Sequence, residues 1–267
     1  MFVLISTLVS VAILAAIYHF ASKREQEHER QYQLLTLLRD VAHLCRRHRA
    51  VSHYSLKYQQ NHDKELEQLR QALTNKLHLL VETSKLENRT MYRVLQLKIK
   101  KLLEKWSNNS VARNQMEHGK LIRHTLYLMD EVTLAWLAMA QRDELHDEYH
   151  INWQTVIDSL ETLTQLRIGI PNRHDHTGKE RMQHYASVML HRLNQLAVIS
   201  PLSIASPMCS HSIQALSEYV ENEAELGEEE LYDITSDISL AIFNTYDHLL
   251  SDIIESLYIP LPRLSIA

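Results

Sequence analysis

A chain of 267 residues, 45% of them hydrophobic, is long enough for one large or two small packed domains. Its 28 Lys+Arg against 33 Asp+Glu give a formal net charge of -5, which excludes the bulk basic field that nucleic acid requires of a partner. Two cysteines, Cys45 and Cys209, are too few for a disulfide framework and point to a reducing compartment, while 4 Gly and 5 Pro argue for long helices joined by short turns.

The first predicted element is apolar. Residues 2–20 read FVLISTLVSVAILAAIYHF, with His19 as the one side chain able to carry charge. That is close to the ~20 apolar residues of a spanning helix. The start lacks the basic residues of a signal peptide, and no Ala-x-Ala-like site follows the apolar run, so residues 1–22 read as an uncleaved anchor. Lys23, Arg24 and Arg30 follow the span and nothing basic precedes it. A single-pass protein with its bulk in the cytoplasm is therefore expected.

Beyond the span, residues 23–258 read as a helical domain and 259–267 as a tail whose prolines forbid helix. Leu34, Leu38, Val41 and Cys45 mark one face of a helix over 31–60 that can run on from the span. Leu66, Leu69, Leu73, Leu77 and Leu80 mark a second over 63–87, and a third covers 89–106 until SNNS ends it. Further helices are expected over 113–142, 152–168, 179–199, 210–226 and 228–257, with a polar loop NRHDHTG at 172–178. No stretch alternates with period two, and no glycine-rich nucleotide loop or solenoid repeat is present. The fold class that follows is all-α: one transmembrane helix, then one or two antiparallel four-helix-type bundles.

Two arginines interrupt this pattern. At 100° per residue, Arg49 and Ser52 continue the stripe set by Leu34, Leu38, Val41 and Cys45, while Arg47 points elsewhere. On 152–168, Trp153, Val156, Ile157, Leu160 and Thr164 define the apolar face, and Arg167 falls on it. An unpaired buried guanidinium is costly because arginine does not shed its proton. Either an internal carboxylate or a bound anion must meet each of these residues. Guanidinium forks suit planar oxyanions through paired hydrogen bonds.

Other candidates carry less. His174, Asp175 and His176 are metal-like in composition but lack a third and fourth ligand spacing, so no metal is expected. Cys45 lies on the core stripe as a small apolar filler. No nucleophile–base pair, Gly-x-Ser-x-Gly or His-Glu-x-x-His motif is present, and the chain does not read as an enzyme.

The same segments resemble the nitrate- and nitrite-sensing domain of bacterial signalling proteins. Arg46-Arg47-His48-Arg49-Ala50-Val51-Ser52 stands where that family has a Gln-Arg-Glu-Arg-Gly-Leu-Ser-like signature. Leu163-Thr164-Gln165-Leu166-Arg167 matches its Leu-x-x-Leu-Arg pattern, and His184-Tyr185-Ala186-Ser187-Val188-Met189-Leu190 is similar to its tyrosine-led run. Glu223-Ala224-Glu225-Leu226-Gly227-Glu228-Glu229-Glu230 takes the place of a Lys-Glu-x-x-Gly-x-Glu-Arg-like element. The resemblance implies a pair of helical bundles in an inner membrane protein that binds nitrate or nitrite between helices. Arg49 and Arg167 are then the ligand residues, with Arg47 a lesser third. The family's last arginine is Glu230 here, and a carboxylate at that place would repel an anion or pair with one of the arginines. No kinase, cyclase or RNA-binding output module follows, so a sensor of this kind needs a separate signalling partner. It can also pair with a second copy through its first helix. The alternative is a helical scaffold whose arginines are locked by internal carboxylates.

Overall fold

The computed structural model describes residues 2–222 and 226–257. Among them there are nine α-helices, three short 3-10 turns and no strand. The tail 259–267, and Glu223, Ala224 and Glu225 of the last family-like element, lie outside the described residues.

The first helix, α1, runs unbroken from Phe2–Tyr58. Its continuity has a plain cause: no glycine or proline precedes Gly119. At 1.5 Å per residue it is about 85 Å long, and the helix does not break at 22–23, where the expected anchor would meet the domain. It ends at Gln59, whose φ of 53° is the left-handed conformation that stops a helix. Among the described residues it is the one helix with a stretch long and apolar enough to cross a membrane, near its N-terminus, and none of that apolar window is buried against the rest of the protein.

The remaining helices are α2 (Asp63–Thr83), α3 (Arg89–Lys105), α4 (Val111–Ala140), α5 (His146–Gly169), α6 (His176–Ile199), α7 (Pro201–Ile204), α8 (Pro207–Asn222) and α9 (Glu228–Leu257). Three differ from expectation. α2 stops at Thr83, where Ser84 turns extended. α5 begins six residues earlier than its expected start, because the acidic Asp147 and Glu148 suit a helix N-terminus and Tyr149 of the same turn is buried in the core. α6 takes in part of the polar loop, with Asp175 at its N-cap position. Gly178 makes that start workable: a Cβ there would stand 1.8 Å from the Asn172 carbonyl oxygen. The short α7 sits between Pro201 and Pro207, each at a helix start, where a missing N–H costs nothing.

Packing closes two rings. α1 lies against α2 and α4, and α3 against α2 and α4. In the second ring α5 packs on α6 and α9, and α8 on α6 and α9. The expected stripes are buried: Leu34, Leu38, Val41 and Cys45 on α1, and Leu66, Leu69, Leu73, Leu77 and Leu80 on α2. Between the rings, α1 and α9 run antiparallel and are joined by long polar side chains rather than by close-packed backbone. Arg39 donates to both Asp247 carboxylate oxygens at 2.7 and 2.8 Å, Tyr54 donates to Asp233, and Lys57 pairs with Glu228 at 2.6 Å. The candidate site lies within this seam.

Candidate functional site

On α1, Arg46, Ala50 and His53 share a flank turned about 90–150° from the apolar stripe by the helical rotation, and Arg49 stands at the edge of the stripe beside it. The stripe faces α2 and α4, whereas this flank faces α9 and the end of α5. A cavity of about 30 Å³ opens there, lined by Arg46, Arg49, Ala50, His53 and Tyr54 of α1, Gln115 of α4, Arg167 of α5, and Tyr232 and Ser236 of α9. At ~10–15 Å³ per water-sized occupant, it has room for about two or three such occupants, the size of a small anion.

Arg49 and Arg167 are both buried, each 8% exposed. α9 receives them through a polar strip inside an otherwise apolar face. Arg49 Nη2 donates to Ser239 Oγ at 3.2 Å. Arg167 donates through Nε to Thr235 Oγ1 at 3.0 Å and through Nη2 to the Thr235 carbonyl at 2.7 Å. All three acceptors are neutral. A guanidinium has five N–H donors, so most of each fork remains uncommitted. Arg46 lies with its guanidinium 5.8 Å from the centre of the Phe243 ring, a cation–π contact.

Among the described residues no carboxylate forms an ion pair with Arg46, Arg49 or Arg167. The acid that acts on Arg46 is Asp247, which is already held by Arg39 and His43. Asp233 and Glu228 stand beyond the cavity wall, bound to Tyr54 and to Lys57 and Arg173. Burial, then repulsion from Arg46, lowers the Arg49 pKa to about 9. Burial, with Arg49 and Arg46 as neighbours, holds Arg167 well below its ordinary value, and burial lowers Arg46 too. The three cations raise one another's energy, and a negative charge placed between them would relieve all three.

Several polar atoms at the cavity are also unsatisfied. Arg46 Nε, both ring nitrogens of His53 and Gln115 Oε1 are buried and have no hydrogen-bond partner. Burial and the field of Arg167 push His53 down to about 4, so it is neutral at pH 7 with one N–H to donate. The Gln115 amide can present its NH2 in place of its oxygen by rotation. Arg46, Arg49, Arg167, His53 and, after rotation, the Gln115 amide can therefore donate to an oxyanion, while the Tyr54 and Ser236 hydroxyls are already committed to Asp233 and the Tyr232 carbonyl.

The sequence placed Arg49 and Arg167 correctly in the interior. Arg47 is not with them: it points away from the cavity and donates to Glu65 of α2 at 2.7 and 3.0 Å, an exposed surface pair. Arg46, three residues before Arg49 and therefore on its side of the helix, takes the third place. Glu230 neither repels an anion at the cavity nor pairs with an arginine. It is exposed in the first turn of α9, and its carboxylate accepts from the Gly227 N–H at 3.4 Å. His53, Gln115 and the Thr235–Ser236–Ser239 strip were not singled out from the sequence. The signal for the strip was present as hydroxyls spaced three and four apart on an apolar helix. His174, Asp175 and His176 sit at the exposed start of α6, where His176 faces Glu180 at 3.6 Å. Among the described residues no three His, Cys, Asp or Glu side chains gather as a metal site.

No protein-family model, no curated protein and no solved structure matches this chain.

Proposed function

We propose that this protein is a membrane-anchored receptor that binds a small oxyanion, nitrate or nitrite, in the cavity between α1, α5 and α9. The observation that carries the reading is the convergence of buried Arg49 and Arg167, with half-buried Arg46 beside them, on one cavity that no carboxylate lines. Arg49 and Arg167 hold the anion through paired N–H donors, Arg46 adds charge, and His53 and Gln115 complete the donor set. The resemblance to nitrate- and nitrite-sensing domains supports the ligand class, as does the pairing of two four-helix rings around the site.

The apolar start of α1 anchors the protein in the inner membrane, with the helical domain in the cytoplasm beside Lys23, Arg24 and Arg30. Binding draws the two rings together across a seam built of long side chains, and α1 carries the change as one rigid rod. A separate partner protein reads that change, and two copies can pair along α1. The protein is a receptor and not an enzyme. The scaffold alternative needs an internal carboxylate between the arginines, and the neutral partners Ser239 and Thr235 do not supply it.

The test is thermal unfolding of the full chain in lipid nanodiscs with nitrate, nitrite, chloride or sulfate. Nitrate or nitrite at millimolar concentration is expected to raise Tm, and Arg49→Met or Arg167→Met to abolish the rise. Equal Tm in all four salts sinks the ligand assignment.

A further inference from the structure

One face of the first ring departs from the charge balance of the chain. Residues 89–105, the whole of α3, hold six Lys or Arg and one Glu, in a protein whose acids outnumber its bases. Lys98, Lys101 and Lys105 follow one another at spacings of three and four and so form one row along α3. Arg113 and Lys120, seven apart, form a second row on α4. The two exposed rows wall a groove of about 360 Å³, with Leu102 and Leu121 in its floor.

The rows lack partners. Among the described residues Lys98, Lys101, Lys105 and Arg113 form no ion pair, and Lys120 reaches Glu117 at 3.5 Å. Cations elsewhere on the surface are matched: Lys57 with Glu228 and Lys76 with Asp40, both at 2.6 Å, and Arg192 with Asp158 at 3.2 Å. The turn end of the groove is more positive still. α4 starts there with no acid in its first turn, and a helix N-terminus carries partial positive charge. At the other end, burial and then the nearby Lys98 lower the His124 pKa, and His124 Nδ1 is buried with no hydrogen-bond partner.

Lipid, nucleic acid and an acidic protein segment are the polyanions to weigh. The Trp106 ring, next to Lys105, meets His48 of α1, and Asn114, next to Arg113, bonds Ser52 at 2.8 Å. Ser52 lies about 45 Å along α1 from the end of the span at residue 22, at 1.5 Å per residue. The step from Asn114 back to His124 brings the near end of the groove to about 30 Å. On the anchor reading of α1, lipid headgroups are thus several screening lengths away. Nucleic acid carries a charge on every unit, and single strands stack their bases on aromatic rings. None of the lining residues is Phe, Tyr or Trp, and Glu117 stands between Arg113 and Lys120, where a continuous phosphate chain would meet it. A protein helix sets its charges position by position. Carboxylates a turn apart on one face reach both rows, and a neutral side chain opposite Glu117 avoids it.

We propose that the α3–α4 groove is a docking surface for an acidic helix of a separate protein, about three turns long, with its carboxylates on one face. The length follows from the α4 side, where Arg113 and His124 stand about 16 Å apart along the helix. The two rows of cations steer the helix in and fix its register. The surface stands on its own charges and does not depend on what fills the cavity between α1, α5 and α9.

The full chain in nanodiscs of zwitterionic lipid tests this with a fluorescent peptide of about 15 residues, built from Glu, Ala and Gln with every Glu on one helical face. A peptide of the same composition with Glu distributed around the helix is the control. Fluorescence anisotropy is expected to show the one-faced peptide bound about tenfold or more tightly than the control, with affinity falling as salt rises. Lys101→Gln with Lys105→Gln is expected to remove that advantage. Lys64→Gln with Arg181→Gln, which takes the same charge from exposed sites on α2 and α6, is expected to preserve it. Equal or absent binding of the two peptides, or equal loss in the two double variants, refutes the groove as a recognition surface. Tighter binding of a single-stranded oligonucleotide of the same charge makes it a nucleic-acid surface. Competition by anionic lipid added to the discs makes it a lipid surface. Self-association of the discs that Lys101→Gln with Lys105→Gln abolishes makes a second copy the occupant. Each of these three results also overturns the proposal.

Discussion

Two polar clusters lie one helical step apart on α1, and they differ in one respect. His48 and Ser52 point into the first ring, where the polar groups close on themselves. The Asn114 carbonyl accepts from His118 Nδ1–H at 2.8 Å, which leaves His118 Nε2 to accept from His48 Nδ1–H at 2.8 Å. Asn114 Nδ2 donates to Ser52 Oγ at 2.8 Å, and Ser52 Oγ donates to the Arg49 carbonyl at 3.2 Å. One buried acceptor, Asn114 Oδ1, is left over. Both histidines are neutral: burial depresses His48 to about 4 and His118 to about 3. Arg49 and His53, on the neighbouring flank, are also buried, with Arg46 half-buried beside them, but they remain unbalanced in charge and in hydrogen bonds. A buried polar group is ordinarily satisfied. The first cluster meets that rule with its own members except at Asn114 Oδ1, and the proposed anion would let the second meet it. Satisfaction, more than burial or polarity, separates a structural network from a binding site.

The largest expected effect breaks the closed cluster. His118→Ala strands the His48 donor and opens a cavity, and is expected to cost about 3–5 kcal/mol in urea unfolding. A loss below about 1 kcal/mol would mean that the network does not hold the first ring.

The arginine cluster should behave oppositely. Replacing a buried, uncompensated cation by an apolar side chain is neutral or stabilising by up to about 1–4 kcal/mol. Arg167→Met is therefore expected to raise Tm in anion-free buffer and to lose the stabilisation by nitrate, about 2.7 kcal/mol at a hundredfold excess over Kd. Destabilisation without anion would show that the hydrogen bonds to Thr235 make the arginine structural.

Acid sharpens the comparison further. The folded pKa of His53 is depressed to about 4, so between pH 6.5 and 4 the unfolded chain binds a proton that the native state refuses. Stability therefore falls as pH falls through that window. His53→Gln should remove about 1 kcal/mol per pH unit of this slope, against a limit of 1.36 for one group. Arg46, Arg49, Arg167 and Lys57 oppose the proton, Glu228 favours it, and Tyr54, Tyr58 and Tyr232 pack on the ring. A bound anion offsets the arginines and raises the His53 pKa from about 4, so nitrate affinity should rise as pH falls toward that value in the native sequence and not in His53→Gln. Titration calorimetry at neutral pH and near the folded His53 pKa reads this.

The smallest effects are expected at the residues outside both clusters. Arg47→Ala breaks an exposed pair with Glu65 and should change stability by less than about 1 kcal/mol. Neither it nor Glu230→Gln should alter nitrate affinity. A clear change with Glu230→Gln would bring that carboxylate to the cavity and revive the objection to anion binding.

The sequence by itself determined the helical class, the apolar opening of α1 and the inward placing of Arg49 and Arg167. These follow from properties local to each helix: the scarcity of Gly and Pro, the length of an apolar run, and the rotation of 100° per residue. That rotation gives each side chain an azimuth about its own axis. It does not say which neighbour stands on that side. Only the tertiary structure decided that the flank beside the core stripe faces α9, which brought in Arg46 and His53 and left Arg47 with Glu65. Only packing aligned Thr235 and Ser239 with the two guanidiniums and left Glu230 at the surface. An arginine's meaning depends on the partner it meets, and partners separated by some 190 residues of chain, as Arg49 and Ser239 are, meet only through the fold.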